Sequence, residues 1–182
     1  YDVNITHRAD LAMMAIQGPN AIGKVSAALE IEDLHLLERF SCMCPSEDWI
    51  VARTGYTGED GVEVILPAEQ AVMLWQKLLD AGVPPIGLGA RDSLRMEAGL
   101  NLYGNDMDSS KNPYESNLTW TVKAKDERDF IGKSALMSIK EKGIEKSLVG
   151  ILLEDKGVLR AGQKIICTGN EVGVTTSGGF AP

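Results

Sequence analysis

The sequence has few of the side chains that build metal sites and disulfide frameworks. Its 182 residues include only three cysteines, Cys42, Cys44 and Cys167, and two histidines, His7 and His35. The spacing of Cys42 and Cys44 is not that of a zinc site and neither histidine has a paired ligand, so we predict no metal site. The cysteines show no disulfide framework, and free thiols favour a reducing compartment.

Basic residues and long apolar runs are also scarce. The chain has 18 Lys and Arg against 26 Asp and Glu, a formal net charge of −8, so we expect no nucleic-acid partner, which would need a basic face. No apolar run approaches the ~20 residues of a membrane span, and we find no signal or transit pattern. The chain starts at Tyr1 without a methionine and ends at Pro182 after a glycine-rich turn, so we expect a fragment.

Common catalytic signatures are missing as well. The pair Gly87-x-Gly89 lacks the third glycine of a dinucleotide fingerprint because Asp92 stands in its place. There is no phosphate loop and no Gly-x-Ser-x-Gly elbow. Asp106 and Asp108 lie two residues apart in a loop, a pattern too common to identify an acid–base pair. The residues alone therefore identify no reaction.

Hydrophobic periodicity in the first part of the chain predicts an α+β fold. We predict strands at residues 11–16, 49–53 and 62–66, with a weaker one at 38–43. Helices are predicted at 21–29, begun by the cap residue Asn20, and around 71–79, with Trp75 in the core. The order strand, helix, strand, strand, helix is typical of a ferredoxin-like (split-βαβ) antiparallel sheet.

The second part of the chain has a different pattern. We predict a helix at residues 90–98 ended by Gly99, a loop at 101–117, a strand at 118–123 and a helix at 134–142. Short strands are predicted at 148–153, 163–167 and 171–177. These strands suit the first half of a small β-barrel. We therefore predict one domain over residues 1–130 and a second over residues 131–182.

One acid and two arginines are candidates for a binding site. Glu63 shares a face of its strand with an apolar residue, so it is either half-buried with hydrogen-bond donors or simply exposed. Arg91 and Arg95 lie four residues apart on one helix face and would repel each other without an anionic partner. That partner is either a nearby acid, Asp92 or Glu97, or a ligand with carboxylate or carbonyl oxygens.

Two long motifs resemble those of one known family. The first is Thr54-Gly-Tyr-Thr-Gly-Glu-Asp-Gly-Val-Glu63, and the second runs from Gly89 to Asp108 as Gly-Ala-Arg-Asp-Ser-Leu-Arg-Met-Glu-Ala-Gly-Leu-Asn-Leu-Tyr-Gly-Asn-Asp-Met-Asp. Shorter matches lie at residues 17–19, 120–123, 129–133 and 174–182. Together, these matches extend in register over nearly the whole chain. They resemble the T-protein of the glycine cleavage system, the aminomethyltransferase family.

The resemblance implies a function and two site residues. Members of this family pass the methylene carbon of an aminomethyl group, held on the lipoyl arm of the H-protein, to tetrahydrofolate and release ammonia. By resemblance, Glu63 binds the pterin and Arg91 contacts the folate, at a pterin carbonyl or a tail carboxylate, whereas Arg95 is structural and paired with an acid. The implied compartment is the bacterial cytoplasm or the mitochondrial matrix.

The resemblance assigns no catalytic residue to this chain. The family's catalytic aspartate lies upstream of Tyr1, and Asp106 and Asp108 are not substitutes for it. We therefore expect the 182 residues alone to be inactive. Two other functions stay open: the folate-binding half of a dimethylglycine- or sarcosine-oxidising flavoenzyme, and a non-enzymatic folate-binding relative. The family's segment beyond Pro182 is also missing, so we expect the open sheet to pair with a second copy.

Overall fold

A computed structural model describes residues 2–180 and divides the chain into two compact units, one ending at Leu94 and the other beginning at Arg95. Each unit is a part of the chain whose residues contact one another more than they contact the rest. The predicted domain boundary after residue 130 stays a prediction. None of the helices in the described residues is long and apolar enough to cross a membrane.

The first unit contains a four-stranded antiparallel sheet. Its strands are β1 (Leu11–Gln17), β2 (Cys42–Met43), β3 (Ile50–Ala52) and β4 (Gly61–Pro67), in the order β1-β4-β3-β2. Because β1 and β3 both run antiparallel to β4, they are parallel to each other and β4 lies between them. This is the arrangement of a split βαβ unit, so the predicted ferredoxin-like antiparallel sheet is confirmed.

Two helices, α1 (Ala21–Leu29) and α2 (Ala68–Asp80), pack on one face of this sheet. Alternation along β4 turns Val62, Val64 and Leu66 toward these helices, and all three side chains are fully buried. The same core contains Val25 of α1 and Leu74 of α2. Glu63 and Ile65 point to the opposite face, where they are only half-buried.

One expectation for this unit was wrong. Trp75 was expected in the core, but it is 46% exposed, because the buried positions of α2 are Leu74 and Leu78, on an adjacent stripe of the helix. Asn20 is the N-cap residue of α1, as predicted, although its side chain makes no capping hydrogen bond. A short 3₁₀ helix, Glu32–Leu36, follows α1 and buries Leu34, which the acidic composition of that segment did not indicate.

The second unit has little regular structure. Helix α3 (Leu88–Glu97) crosses the boundary and is followed by Gly99 with a φ of +70°, as its role in ending a helix predicts. The segment 118–123 contains a short 3₁₀ helix, Thr119–Thr121, in place of the predicted strand. Helix α4 (Lys133–Lys142) is confirmed, whereas residues 148–153 form no strand.

Where the sequence predicted the first half of a β-barrel, the described residues contain one hairpin. Strands β5 (Lys164–Cys167) and β6 (Asn170–Val174) pair antiparallel across the two residues Thr168 and Gly169. Both turn residues have positive φ, 50° and 83°, which is the conformation that a tight hairpin with the usual strand twist requires. The two strands form no closed barrel with other elements of the described residues.

Candidate functional site

The loop at residues 54–61 connects β3 to β4 and is tied down at its base by an ion pair. Arg53 donates from Nε to Oδ1 of Asp60 over 3.0 Å and from Nη2 to Oδ2 over 2.7 Å. The Arg53 hydrogen bond holds the pKa of Asp60 below its ordinary value, against the opposing effect of burial. Arg53 also donates to the carbonyl of Leu37, so the loop base is joined to the chain before β2.

The side chain of Gln17, at the end of β1, fills the inside of this loop. Its Nε2 donates to the carbonyl oxygens of Thr54, Val62 and Ile16 at 3.1–3.2 Å, and its Oε1 accepts from the Thr57 hydroxyl at 3.3 Å. One carboxamide therefore joins β1, the loop and β4. In the sequence, Gln17 stands out only as part of the short family match at residues 17–19, because a single glutamine beside a turn carries no signal of its own.

The three loop glycines serve two different purposes. Gly58 has a φ of +80°, whereas Gly55 and Gly61 have no positive φ. A Cβ at Gly55 would overlap the Gln17 side chain, and a Cβ at Gly61 would overlap the Ile16 carbonyl oxygen and then Gln17. Glycine is needed there for space and at Gly58 for backbone conformation.

Glu63 lies on the sheet face opposite the helices, between two small side chains. It pairs across the sheet with Ala15 on β1 and with Ala52 on β3. Such opposed residues have Cβ atoms about 4.5–5.5 Å apart, so the cross-strand neighbours of Glu63 on this face are two short methyl side chains. The Thr54 hydroxyl donates to Oε2 of Glu63 over 2.6 Å and orients the carboxylate.

Arg91 lies on α3, and its guanidinium lies 4.9 Å from the ring centroid of Tyr56 in the same loop. A cation over a tyrosine ring at this distance is an attractive cation–π contact. Arg91 and Glu63 thus contact loop residues only two positions apart, Tyr56 and Thr54. The structure brings both predicted residues to one loop.

Two cavities lie elsewhere in the first unit. One of about 220 Å³ lies between β1, the end of α2 and the segment 83–86, and a second of about 280 Å³ lies beside Trp49 and Leu74. Glu63 and Arg91 line neither of these two cavities.

Arg95 has a different role from Arg91. Its Nη1 donates to Oδ2 of Asp106 over 2.8 Å, and both side chains are at most 5% exposed. Asp106 also accepts from the N–H of Leu102 and from the hydroxyls of Thr176 and Ser177. The prediction that Arg95 is structural and paired with an acid is confirmed. The acid lies eleven residues downstream, a separation that helix spacing could not identify.

The environment of Asp106 favours its charged form. Burial by itself would raise the pKa of this carboxyl group. The hydrogen bonds from Thr176, the Leu102 N–H and Ser177, together with the charge of Arg95, outweigh burial and lower the pKa below its ordinary value. Asp106 is thus a fully hydrogen-bonded structural anion. Within residues 2–180, no three His, Cys, Asp or Glu side chains are grouped to hold a metal ion.

Fold and loop together define an α+β domain of the split-βαβ class in which a glycine-rich loop carries the polar groups. The comparison with family models then identifies the family. The GCVT N-terminal domain model matches residues 2–126, and the chain belongs to this family.

Curated relatives that match the whole chain share the same name. Proteins named aminomethyltransferase are 53% identical in Nitrosomonas eutropha and 50% identical in Legionella pneumophila, and each match covers 100% of this chain. The chain spans about half the length of these curated relatives, 50% and 51%. The crystal structure of glycine cleavage system aminomethyltransferase T from Bartonella henselae superposes with a TM-score of 0.85 at 40% identity, over 93% of this chain and 48% of that one.

Proposed function

We propose that this chain is part of a tetrahydrofolate-dependent aminomethyltransferase of the glycine cleavage system. The proposed reaction moves a methylene carbon from an aminomethyl group on a lipoyl arm to tetrahydrofolate, which releases ammonia and leaves the lipoyl arm of the carrier in its reduced form. The names of the relatives and their identity of 50–53% over the whole chain support this proposal. The role of this half of the protein is to bind the folate.

Glu63 carries the proposal, because its surroundings fit a pterin. A carboxylate can accept two parallel N–H bonds from an amino-pyrimidine edge. The Thr54 hydroxyl donates to Oε2 of Glu63, and we infer that Oε1 and the second lone pair of Oε2 accept the two pterin N–H groups. Ala15 and Ala52, the cross-strand neighbours of Glu63, are small residues, which favours access of a flat ring to the carboxylate.

Arg91 supplies positive charge at the same loop. A guanidinium is a fork of donors that matches a carbonyl or carboxylate oxygen of a folate. The cation–π contact with the Tyr56 ring stabilises the guanidinium beside this loop. We infer that Arg91 contacts either the pterin carbonyl or the tail carboxylate of the folate.

The proposed partner is a lipoylated carrier, the H-protein, which would present the aminomethyl group. The relatives are bacterial, so we expect the protein in the bacterial cytoplasm, where free thiols such as Cys42 stay reduced. A folate-binding half of a dimethylglycine- or sarcosine-oxidising enzyme would use the same pterin contacts. A bound flavin in the protein at its full natural length would favour that alternative.

The test is tetrahydrofolate affinity in the protein at its full natural length. A hydrogen bond to a charged group contributes about 1.5–3 kcal/mol, so Glu63→Gln should weaken binding by roughly 10- to 100-fold. Glu69→Gln is the matched control, because Glu69 is an exposed acid in the first turn of α2. It should leave the affinity unchanged.

Activity separates an enzyme from a simple binder. With a lipoylated aminomethyl carrier, the full-length protein should produce methylene-tetrahydrofolate and ammonia, and Arg91→Ala should lower kcat/KM for tetrahydrofolate. Binding without turnover would identify a non-enzymatic folate-binding relative. Unchanged affinity in both Glu63→Gln and Arg91→Ala would show that the site assignment is wrong.

A further inference from the structure

We propose that Gln17 is a positioning residue, which sets the orientation of the Glu63 carboxylate by holding the main chain of Thr54. This inference rests on the proposed function, because it concerns how the proposed pterin ligand is held. The carboxamide of Gln17 makes its hydrogen bonds with Ile16, Thr54, Val62 and Thr57, and not with Glu63 or Arg91. It acts through the loop.

Two hydrogen bonds in series connect Gln17 to Glu63. Nε2 of Gln17 donates to the carbonyl of Thr54 at 3.1 Å, and the hydroxyl of the same threonine donates to Oε2 of Glu63 at 2.6 Å. Thr54 lies between the end of β3 and the start of β4, so no ladder hydrogen bond of the sheet fixes its backbone. The position of its hydroxyl therefore depends on what holds its carbonyl.

The same carboxamide prevents the loop from rotating as a unit. Besides Thr54, it binds the Val62 carbonyl on β4 and accepts the Thr57 hydroxyl, so it contacts both ends of the loop and its middle. A Cβ on Gly55 would overlap the Gln17 carboxamide, and a Cβ on Gly61 would meet the Ile16 carbonyl oxygen first and Gln17 next. Loop and glutamine are thus complementary in shape as well as in hydrogen bonding.

The first experiment replaces Gln17 by an apolar side chain of similar length. In the protein at its full natural length, Gln17→Met removes the hydrogen bonds, so tetrahydrofolate should bind about two- to tenfold more weakly. KM for tetrahydrofolate should rise by the same factor while kcat stays nearly constant, because Gln17 makes no contact with reacting atoms. Gln76→Met, a change of an exposed glutamine on α2, is the control and should alter neither value.

A purely structural role predicts a different pattern. It would lower the unfolding midpoint of Gln17→Met but leave the tetrahydrofolate Kd of the folded protein at its native value. That result would overturn the inference.

The second experiment uses the crowding between Gln17 and Gly55. Gly55 has no positive φ, and a Cβ there would meet only the Gln17 side chain among its nearest atoms. Gly55→Ala should therefore weaken tetrahydrofolate binding in the native background by displacing Gln17. It should add little in a Gln17→Ala background, where the obstruction is gone. Fully additive losses in this double-mutant cycle would contradict the proposed coupling.

Failure of this inference is distinguishable from failure of the proposed function. If Glu63→Gln weakens tetrahydrofolate binding and Gln17→Met does not, only the positioning role is wrong. If Glu63→Gln has no effect, the folate site itself is wrong and the inference falls with it. Weakening by both variants, with a KM change and a constant kcat for Gln17→Met, is the expected result.

Discussion

Replacing Asp106 by asparagine should destabilise the second unit strongly. The carboxylate accepts hydrogen bonds from Arg95, from the Leu102 N–H and from the hydroxyls of Thr176 and Ser177. Asparagine keeps the shape but replaces one acceptor oxygen by an NH₂ group that faces these donors. It also removes the negative charge beside a guanidinium that is 3% exposed.

The size of the effect follows from the buried charge. Removing one partner of a buried ion pair leaves the other charge uncompensated and costs about 3–5 kcal/mol. Domains of this size have total stabilities of only about 5–15 kcal/mol, so the loss is a large fraction of the whole. We therefore expect a lower urea midpoint for the transition that involves residues 95–180.

A neighbouring aspartate supplies the control. Asp108 is exposed and accepts hydrogen bonds only locally, from the N–H and hydroxyl of Ser110, so Asp108→Asn should change the midpoint little. Urea unfolding followed by circular dichroism in the protein at its full natural length measures both variants. An Asp106→Asn midpoint equal to that of Asp108→Asn would refute the reasoning.

The pH dependence has a definite sign. The pKa of Asp106 is lowered in the folded protein, so the stability that it contributes is fully present above the unfolded pKa of about 4. This contribution is lost as the pH falls from there through the folded pKa, whereas Arg95 stays charged throughout. The stability difference between the native protein and Asp106→Asn should therefore shrink on acidification below about pH 4. A constant difference would contradict the proposed charged pair.

Two further predictions concern the first unit. Leu74 is 1% exposed, so Leu74→Ala should cost about 2–5 kcal/mol in urea unfolding. Val72→Ala on the same helix should cost little, because Val72 is 78% exposed, and equal losses would contradict the assigned core face. Arg53→Met removes the double hydrogen bond to Asp60, so amide exchange in the loop at 54–60 should accelerate while exchange in α2 stays unchanged. Unaltered loop exchange would show that the ion pair does not restrain it.

Hydrophobic periodicity and turn residues in the sequence predicted the helices and strands that bury one face. The strand Leu11–Gln17, the helix Ala21–Leu29 and the strand Gly61–Pro67 lie within a residue or so of their predicted bounds. Each has an apolar stripe of the right period next to a turn. The predicted strands at 118–123 and 148–153 were wrong, because a short apolar run indicates a strand only if it finds a partner to pair with.

The sequence likewise predicted some residues of the candidate site and not others. The chemical types of Glu63 and Arg91 came from motif and resemblance, and the structure brings both to the loop at 54–61. Their assignment as folate ligands stays a prediction. Gln17 could not be found from the sequence, since the carbonyls of Thr54 and Val62 and the hydroxyl of Thr57 reach its carboxamide only after β1 pairs with β4.

The sequence by itself determined which segments form the sheet and its helices, the family of the chain, and which acid and arginine are candidates for the folate. Tertiary structure alone decided that Asp106 is the partner of Arg95, that Trp75 is exposed, and that Gln17 fills the loop. The physical reason is the separation along the chain over which each kind of interaction acts. Amphipathic periods and turn residues act between near neighbours and can be read along the chain, whereas ion pairs and shared hydrogen bonds join residues that only folding brings together.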